Sequence, residues 1–420
     1  MRAPASAPVR APAPAARTPA EPAARPLRVL LVEAAEDGTV GGSHRALVDL
    51  VANLDRARFT PVVLFYEDNP FASRLAGEEV HVWSGVRARE RSFHGPVGLL
   101  RQVRGAVTAI PRRMAFLRRE RIDLVHLNNS PALGYEDWLP AAHLLRLPCI
   151  AHARGEFWLT RRAIGRTLMR RFEAVLPVSH VMADFARAAG IAEERIRTVH
   201  DGIDRDAFLA RVHRTREAVR QELGLGAQDF VVSLVAHLRR WKGHELALHA
   251  VRRLPEPLRR QLRLLFIGAA PAGEAAYERE LRAEVARFGL SDCVLFLGGR
   301  DDVPELMAAA DVVLHASTEA EPFGLVILEA MVLSRAVLAS RLGGPVEIVT
   351  PGSGLTFDPR SPEELAEQLA RLAADPDLRR RLGEGGRERA EHFRIEHTVA
   401  KIESVYDEFG RSARVRRAPR

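Results

Sequence analysis

The stretch FVVSLVAHLRRWKGHE (230–245) runs from a β-branched apolar segment through a basic turn into the start of a helix. Its first seven residues are apolar on both faces apart from Ser233, which suits a strand covered by helices on each side. The turn closes at Gly243, so the unit reads strand, tight connection, helix. The same unit stands near the other end of the chain. LRVLLVE (27–33) leads into a loop with Gly38, Gly41 and Gly42, and a helix follows from about Ser43. One grammar starting twice, half a chain apart, implies two domains of similar architecture.

Outward from these two starts, further apolar strand candidates recur with helix-length segments between them. In the first half they are PVVLFY (61–66), IDLVHL (122–127), PCIAHA (148–153) and AVLPVS (174–179). In the second they are LRLLFIG (262–268), CVLFLG (293–298), DVVLHA (311–316) and AVLAS (336–340), with a helix expected over 273–288. Such spacing favours parallel crossovers. The predicted fold is α/β, two doubly wound Rossmann-like domains facing each other across a cleft. Open sheets of this kind bind ligands at their strand carboxyl ends, so the function is expected between the domains. The expected divisions are a disordered Ala/Pro/Arg leader (1–26), a first domain (27–205) and a second domain (206–390). A C-terminal helix returning to the first domain (391–410) and a basic tail (411–420) complete the chain.

With 420 residues, 47% of them hydrophobic and 28% charged, the chain falls in the soluble globular class and can bury two cores. No apolar run approaches the ~20 residues of a spanning helix. The formal charge of +8 resides in the two ends: four Arg against one Glu in 1–26, and five Arg in 411–420. Basicity of that kind does not argue for nucleic acid. The leader lacks an apolar core and does not read as a secretory signal, so a cytoplasmic location is expected. Cys149 and Cys293 sit in separate apolar runs and are expected to be buried thiols.

Three motifs carry chemistry. Gly41 and Gly42 precede a helix, where backbone N–H groups can approach a phosphate or a sugar. A plain tight turn fits them equally. Lys242 is one of only two lysines, with Lys401, in a chain holding 62 basic residues, and its place at a strand-to-helix turn suits a compact charge reaching an anion. The third motif is EAEPFGLVILEAMVLS (319–334). Glu321 precedes a helix that begins near Gly324, and Glu329 lies inside it. Two carboxylates at one helix entrance repel unless each finds donors, which a polyhydroxylated ligand supplies.

In order, a Gly-Gly loop, a basic turn ending in Lys-Gly, an E-x7-E motif written EPFGLVILE, and a following GGPVEIV resemble glycosyltransferase family 4. The resemblance spans roughly residues 27–410. It implies a GT-B fold and transfer of a sugar from a nucleoside-diphosphate sugar to a hydroxyl acceptor, a glycan or lipid-linked glycan, with retention of configuration. It further implies that Glu329 binds the ribose, Glu321 the sugar and Lys242 the diphosphate, with Phe323, Gly324, Gly343 and Gly344 shaping the donor pocket. Where the family often has Gly-Arg-Leu before Lys-Gly, this chain has Ala236-His237-Leu238, so either His237 or Arg240 would replace the phosphate-binding arginine. A histidine frequent in the family's first domain aligns with Arg154, and His152 lies two residues earlier; both are expected as cleft residues with catalytic roles.

Asp204-Arg205-Asp206 and Asp375-Pro376-Asp377 spell the D-x-D of metal-dependent transferases, but neither follows a strand into a pocket. No metal and no cofactor beyond the nucleotide sugar is expected. Residues 85–121 carry ten Arg against Glu90 and Glu120, interleaved with apolar residues, and 161–171 add five Arg. This basic amphipathic pattern suits either an anionic membrane surface, giving a peripheral protein on the inner face, or packing on the sheet. Nucleic acid is disfavoured because aromatic side chains for base stacking are sparse there. The rival functions are a non-catalytic sugar-nucleotide-binding protein and a glycan phosphorylase. The latter needs a Schiff-base lysine, for which Lys401 is poorly placed.

Overall fold

A computed structural model describes residues 25–33, 41–66, 68–83, 109–129, 138–155, 170–271 and 273–412. Among these residues are two six-stranded sheets, parallel throughout. The first holds β1 (Leu27–Glu33), β2 (Phe59–Phe65), β3 (Glu79–Val82), β4 (Leu124–Asn128), β5 (Cys149–Ala153) and β6 (Ala174–Pro177), in the order β3-β2-β1-β4-β5-β6. The second holds β7 (Phe230–Val235), β8 (Leu262–Ile267), β9 (Val294–Gly298), β10 (Val312–His315), β11 (Ala336–Ser340) and β12 (Leu355–Phe357), in the order β12-β11-β10-β7-β8-β9. Read from its own first strand outward, each sheet has the same order. The order reverses beside β1 in one and β7 in the other, and ligands of open α/β sheets bind at such a reversal.

Burial follows from the apolar runs. Every residue of β4 and β5 is buried, and Val231, Val232 and Ser233 of β7 are fully so. Both cysteines are free and buried. The helix expected over 273–288 forms over Ala275–Arg287. The chain leaves the first sheet and returns to it at one crossing: Ile203 N donates to Phe393 O at 2.9 Å, and Ile395 N to Ile203 O at 3.1 Å. The returning helix Ile395–Tyr406 packs Ile395, Val399, Ile402, Val405 and Tyr406 against Leu27, Val29 and Leu31 of β1. Its last residue reaches through the domain, where the Tyr406 hydroxyl lies 2.6 Å from His126 Nδ1.

The basic segment is described only from residue 109, where a helix runs over 109–119. Its apolar face is already used. Phe116 and Leu117 belong to the core of the first domain, with Ile110 and Met114 packed against it. Arg113 is itself buried, its guanidinium 5.3 Å from the Trp138 ring centroid. Of the two readings left open for this segment, the apolar side of 109–121 follows the second, packing on the sheet. Residues 84–108 and 156–169, like most of the leader and tail, lie outside the described residues. Among those described, no helix is long and apolar enough to cross a membrane.

Candidate active site

The site is built where the exits of β7 and β10 meet the glycine turn that follows β1. After β7 the chain makes a 3-10 turn over Arg240–Lys242 and closes at Gly243, whose φ is 76°. A Cβ on Gly243 would stand 1.8 Å from the carbonyl oxygen of Ala316, so no other residue permits this approach to the exit of β10. Thr318 N donates to Trp241 O at 2.7 Å and ties the two exits together. The outcome is that Lys242 Nζ lies 2.6 Å from Glu321 Oε2 and 3.8 Å from the centroid of the Trp241 ring.

Glu321 gathers further donors on the same oxygen. Ser317 Oγ donates to Oε2 at 2.8 Å and His315 Nε2 stands 3.2 Å from it. Ser340 Oγ, 3.3 Å from His315 Nδ1, fixes the far side of that ring. Burial pushes the Glu321 carboxyl up, but Lys242 and His315 outweigh it and hold the group well below the usual carboxylate range. Glu321 is therefore a charged, oriented carboxylate. Its backbone is pinned as well: Glu321 bridges Gly343, and Gly344 N donates to Glu321 O at 2.7 Å. A Cβ on Gly343 would fall 2.4 Å from Glu321 O, and one on Gly344 2.5 Å from Phe323 Cα, which is why this contact takes a glycine pair.

Glu329 lies within the helix Leu325–Val332, which starts after Gly324 with its φ of 109°. It is 9% exposed and ion-paired with Arg45 of the first domain. The glycine turn sits directly opposite. A Cβ on Gly41 would lie 3.8 Å from His237 Nε2, and one on Gly42 3.4 Å from Leu325 Cδ1. The structure thus brings Gly41, Gly42, His237, Lys242, Glu321, Glu329, Gly343 and Gly344 to one place.

Residues 40–207 match the family model described as Glycosyltransferase Family 4, and residues 215–389 the model described as Glycosyl transferases group 1. The D-inositol 3-phosphate glycosyltransferase of Saccharomonospora viridis is 34% identical over 322 residues, covering 72% of this chain and 73% of that protein. The chain belongs to glycosyltransferase family 4. The enzyme of the same name from Corynebacterium jeikeium is 34% identical over 217 residues, and there the match spans about half of each chain, 51% of this one and 52% of the relative. Among solved structures, Anabaena Alr3699/HepE in complex with UDP and glucose superposes with a TM-score of 0.74 at 27% identity, over 91% of this chain and all of that one. The two facing sheets are the GT-B architecture.

Within this family-4 chain, several expected site residues stand elsewhere. Arg240 is exposed, paired with Glu245 at 3.3 Å and with Glu280, its guanidinium 4.8 Å from the Tyr277 ring centroid. Of the two candidates for the missing arginine, His237 faces the glycine turn and Arg240 is engaged by the helices Ala275–Arg287 and His244–Arg253. Phe323 is 3% exposed and stacks on His200, in a core with Ile327 and Phe393. It braces the loop from beneath.

His152 is fully buried and stacked on His126, ring centroids 5.5 Å apart. Burial and then Arg154 hold its imidazole well below the usual range. It is an interior residue and not a cleft base, which corrects the sequence expectation. Arg154 is ion-paired with Asp201 and donates through Nε to Asn128 Oδ1 at 3.2 Å; Asn128 Nδ2 donates in turn to Glu33 Oε2 at 2.5 Å and to Ser43 O at 3.1 Å. This network links the exits of β1, β4 and β5 and braces the start of the helix after the glycine turn.

The two D-x-D motifs serve as caps. Asp204 Oδ1 accepts from Ala207 N at 2.9 Å and Asp375 Oδ1 from Leu378 N at 2.7 Å, while Asp206 and Asp377 are exposed. Sequence reasoning missed His315, Ser317 and Arg45. The first two share one face at the end of DVVLHAS, a spacing of two that could have signalled them. Also missed was Glu347, which crosses between domains. Its carboxylate accepts from His180 N at 2.8 Å and Val181 N at 3.2 Å, with His200 Nε2 at 2.8 Å.

Proposed function

We propose that this chain transfers a glycosyl group from a nucleoside-diphosphate sugar to a hydroxyl acceptor with retention of configuration. The observation that carries this reading is the pair of carboxylates flanking the entrance of one helix, each with its own cation, opposite a glycine turn. All three donors to Glu321 converge on Oε2, and among the described residues none donates to Oε1, so that oxygen is available to a sugar hydroxyl. In this reading Glu329 holds the ribose and Lys242 meets the diphosphate. As the bond to the leaving diphosphate breaks, negative charge grows on the phosphate oxygens and positive charge on the sugar. Fixed charges already in place stabilise both without reorganising. The diphosphate takes the acceptor proton on the face it leaves, so the scheme needs no protein nucleophile.

The relatives named D-inositol 3-phosphate glycosyltransferases support a phosphorylated cyclitol as the acceptor class, and HepE, solved with UDP and glucose, supports a UDP-sugar as donor. Transfer is proposed to proceed without a bound metal, since the aspartates of both D-x-D motifs already cap helices. The test is product formation from UDP-, GDP- and ADP-sugars with inositol phosphate and with lipid-linked glycan as acceptors, each with and without EDTA. Donor binding with no transfer to any acceptor would favour the non-catalytic reading. Activity lost in EDTA and restored by Mn²⁺ would overturn metal independence.

A further inference from the structure

Arg45 is the one residue of the described first domain that forms an ion pair with either glutamate of the E-x7-E motif. It occupies the first turn of the helix Gly42–Asn53, three residues after Gly42. Its Nη1 is bonded to Glu329 Oε1, its Nε lies 3.7 Å from Asp49 Oδ2 one turn on, and its guanidinium stands 4.8 Å from the centroid of the Phe208 ring. The side chains of Arg45 and Glu329 are 19% and 11% exposed, so the pair is only partly screened. A nucleotide ribose seated on Glu329 needs that same carboxylate as its acceptor.

We propose that Arg45 is a cleft-spanning competitor for the nucleotide pocket, holding Glu329 in the empty site and passing to Asp49 when ribose hydroxyls take its place. The proposal rests on the reading of Glu329 as the ribose-binding residue. Asp49 is a fitting second partner. It lies four residues along the same helix, so Arg45 reaches it whether the cleft is open or closed, whereas Glu329 is reached only while the domains face each other. Stacking on Phe208 keeps the guanidinium between the two carboxylates instead of leaving it to sample solvent. Binding free energy spent on breaking the Arg45–Glu329 pair is lost from nucleotide affinity, so removing the arginine strengthens binding. A residue that simply contacted the diphosphate would have the opposite effect.

The experiment is calorimetric titration of the full chain with whichever of UDP, GDP or ADP the parent binds most tightly. Arg45→Gln is expected to bind it roughly fivefold more tightly, the change that about 1 kcal/mol of released pairing produces. Asp49→Asn, which leaves Arg45 only Glu329, is expected to bind more weakly. In Glu329→Gln affinity falls, and adding Arg45→Gln to it changes nothing further, because the competitor acts only through that carboxylate. Arg45→Lys, which keeps the charge and loses the planar stack, covers the case in which the Gln variant does not fold, and is expected to fall between parent and Gln. Unchanged or weaker binding in folded Arg45→Gln or Arg45→Lys overturns the competitor. Parent-like binding by Glu329→Gln overturns the ribose assignment instead, and the two failures are separately visible.

Discussion

Replacing Lys242 by Met removes the cation from Glu321 while keeping most of the aliphatic stem on Trp241. Breaking a fully buried pair on one side costs about 3–5 kcal/mol because a charge is stranded. Here the side chains are 19% and 13% exposed, and Glu321 keeps Ser317 and His315 as partners. The expected loss is therefore about 2 kcal/mol, which for a domain of this size lowers its melting temperature by roughly 4–8 °C. The double variant Lys242→Met/Glu321→Gln strands no charge and is expected to recover at least half of that loss, a non-additivity of about 1 kcal/mol between residues in contact. The sign with pH follows from the direction of the shift. Glu321 is held below its ordinary value, so its contribution is present above the unfolded carboxyl value of 4.5 and is lost as pH falls toward the folded one. In Lys242→Met burial acts with less opposition, the carboxyl protonates earlier, and the gap to the parent narrows on going from about pH 7 to about pH 5. Thermal unfolding followed by calorimetry without ligand measures all of this. If the single and double variants melt together, or if Lys242→Met melts within about 1 °C of the parent, Lys242 and Glu321 are not a coupled pair.

Acid should destabilise the chain through its buried histidines. His126 and His244 are pushed down to about 3 by burial, and His152 well below its ordinary value, so neutral imidazoles are favoured in the fold. Their stability is complete above 6.5 and is lost as pH falls below it, His126 and His244 each costing about 2 kcal/mol by about pH 5; chemical denaturation at about pH 7 and about pH 5 reads it, and equal stability would refute it. Gly243→Ala places a methyl group against the Ala316 carbonyl in a left-handed backbone, so Lys242 should lose its position and donor binding should fall at least tenfold. Calorimetry with the parent's best nucleotide checks this, and parent-like affinity would show that the β7 exit is not needed for the site.

Ten of the twelve described strands were legible as apolar runs, and the two that were not, β3 and β12, lie at sheet edges. An edge strand buries less surface, and EVHV and LTF carry too few apolar residues to stand out. Lys242, Glu321 and Glu329 were legible for a related reason: a scarce lysine and a spaced glutamate pair are conspicuous against their background. Arg45 is one arginine among many, and only the meeting of two domains gives it a role. His152 misled because strand alternation assigns residues to faces without saying which face is the cleft, and in a parallel sheet covered on both sides each face is interior. The basic helix stayed open between two readings for a related reason. An apolar stripe opposite arginines looks alike whether it meets lipid or, as here, the Trp138 and Phe116 core.

The two glutamates differ in which domain supplies the cation, and that difference predicts how the site responds to pH. Lys242 and Glu321 both belong to the second domain and move together, so their pairing survives opening of the cleft and Glu321 stays ionised throughout the neutral range. One group of the site able to titrate there is Asp49, whose carboxyl is pushed up to about 6 by burial, with Asp204 and Glu329 adding to the rise and Arg45 and Arg211 opposing it. Above that value Asp49 is an anion and competes with Glu329 for Arg45, so the arginine is displaced more easily by the ribose; below it Asp49 is neutral and Glu329 keeps the arginine. Nucleotide affinity should therefore strengthen as pH rises through about 6, and more steeply in the parent than in Asp49→Asn, where no such carboxyl remains. Calorimetry across about pH 5 to 8 with both proteins decides the matter. An acid limb that persists unchanged in Asp49→Asn would assign the titration to another group and leave Arg45 without its second position.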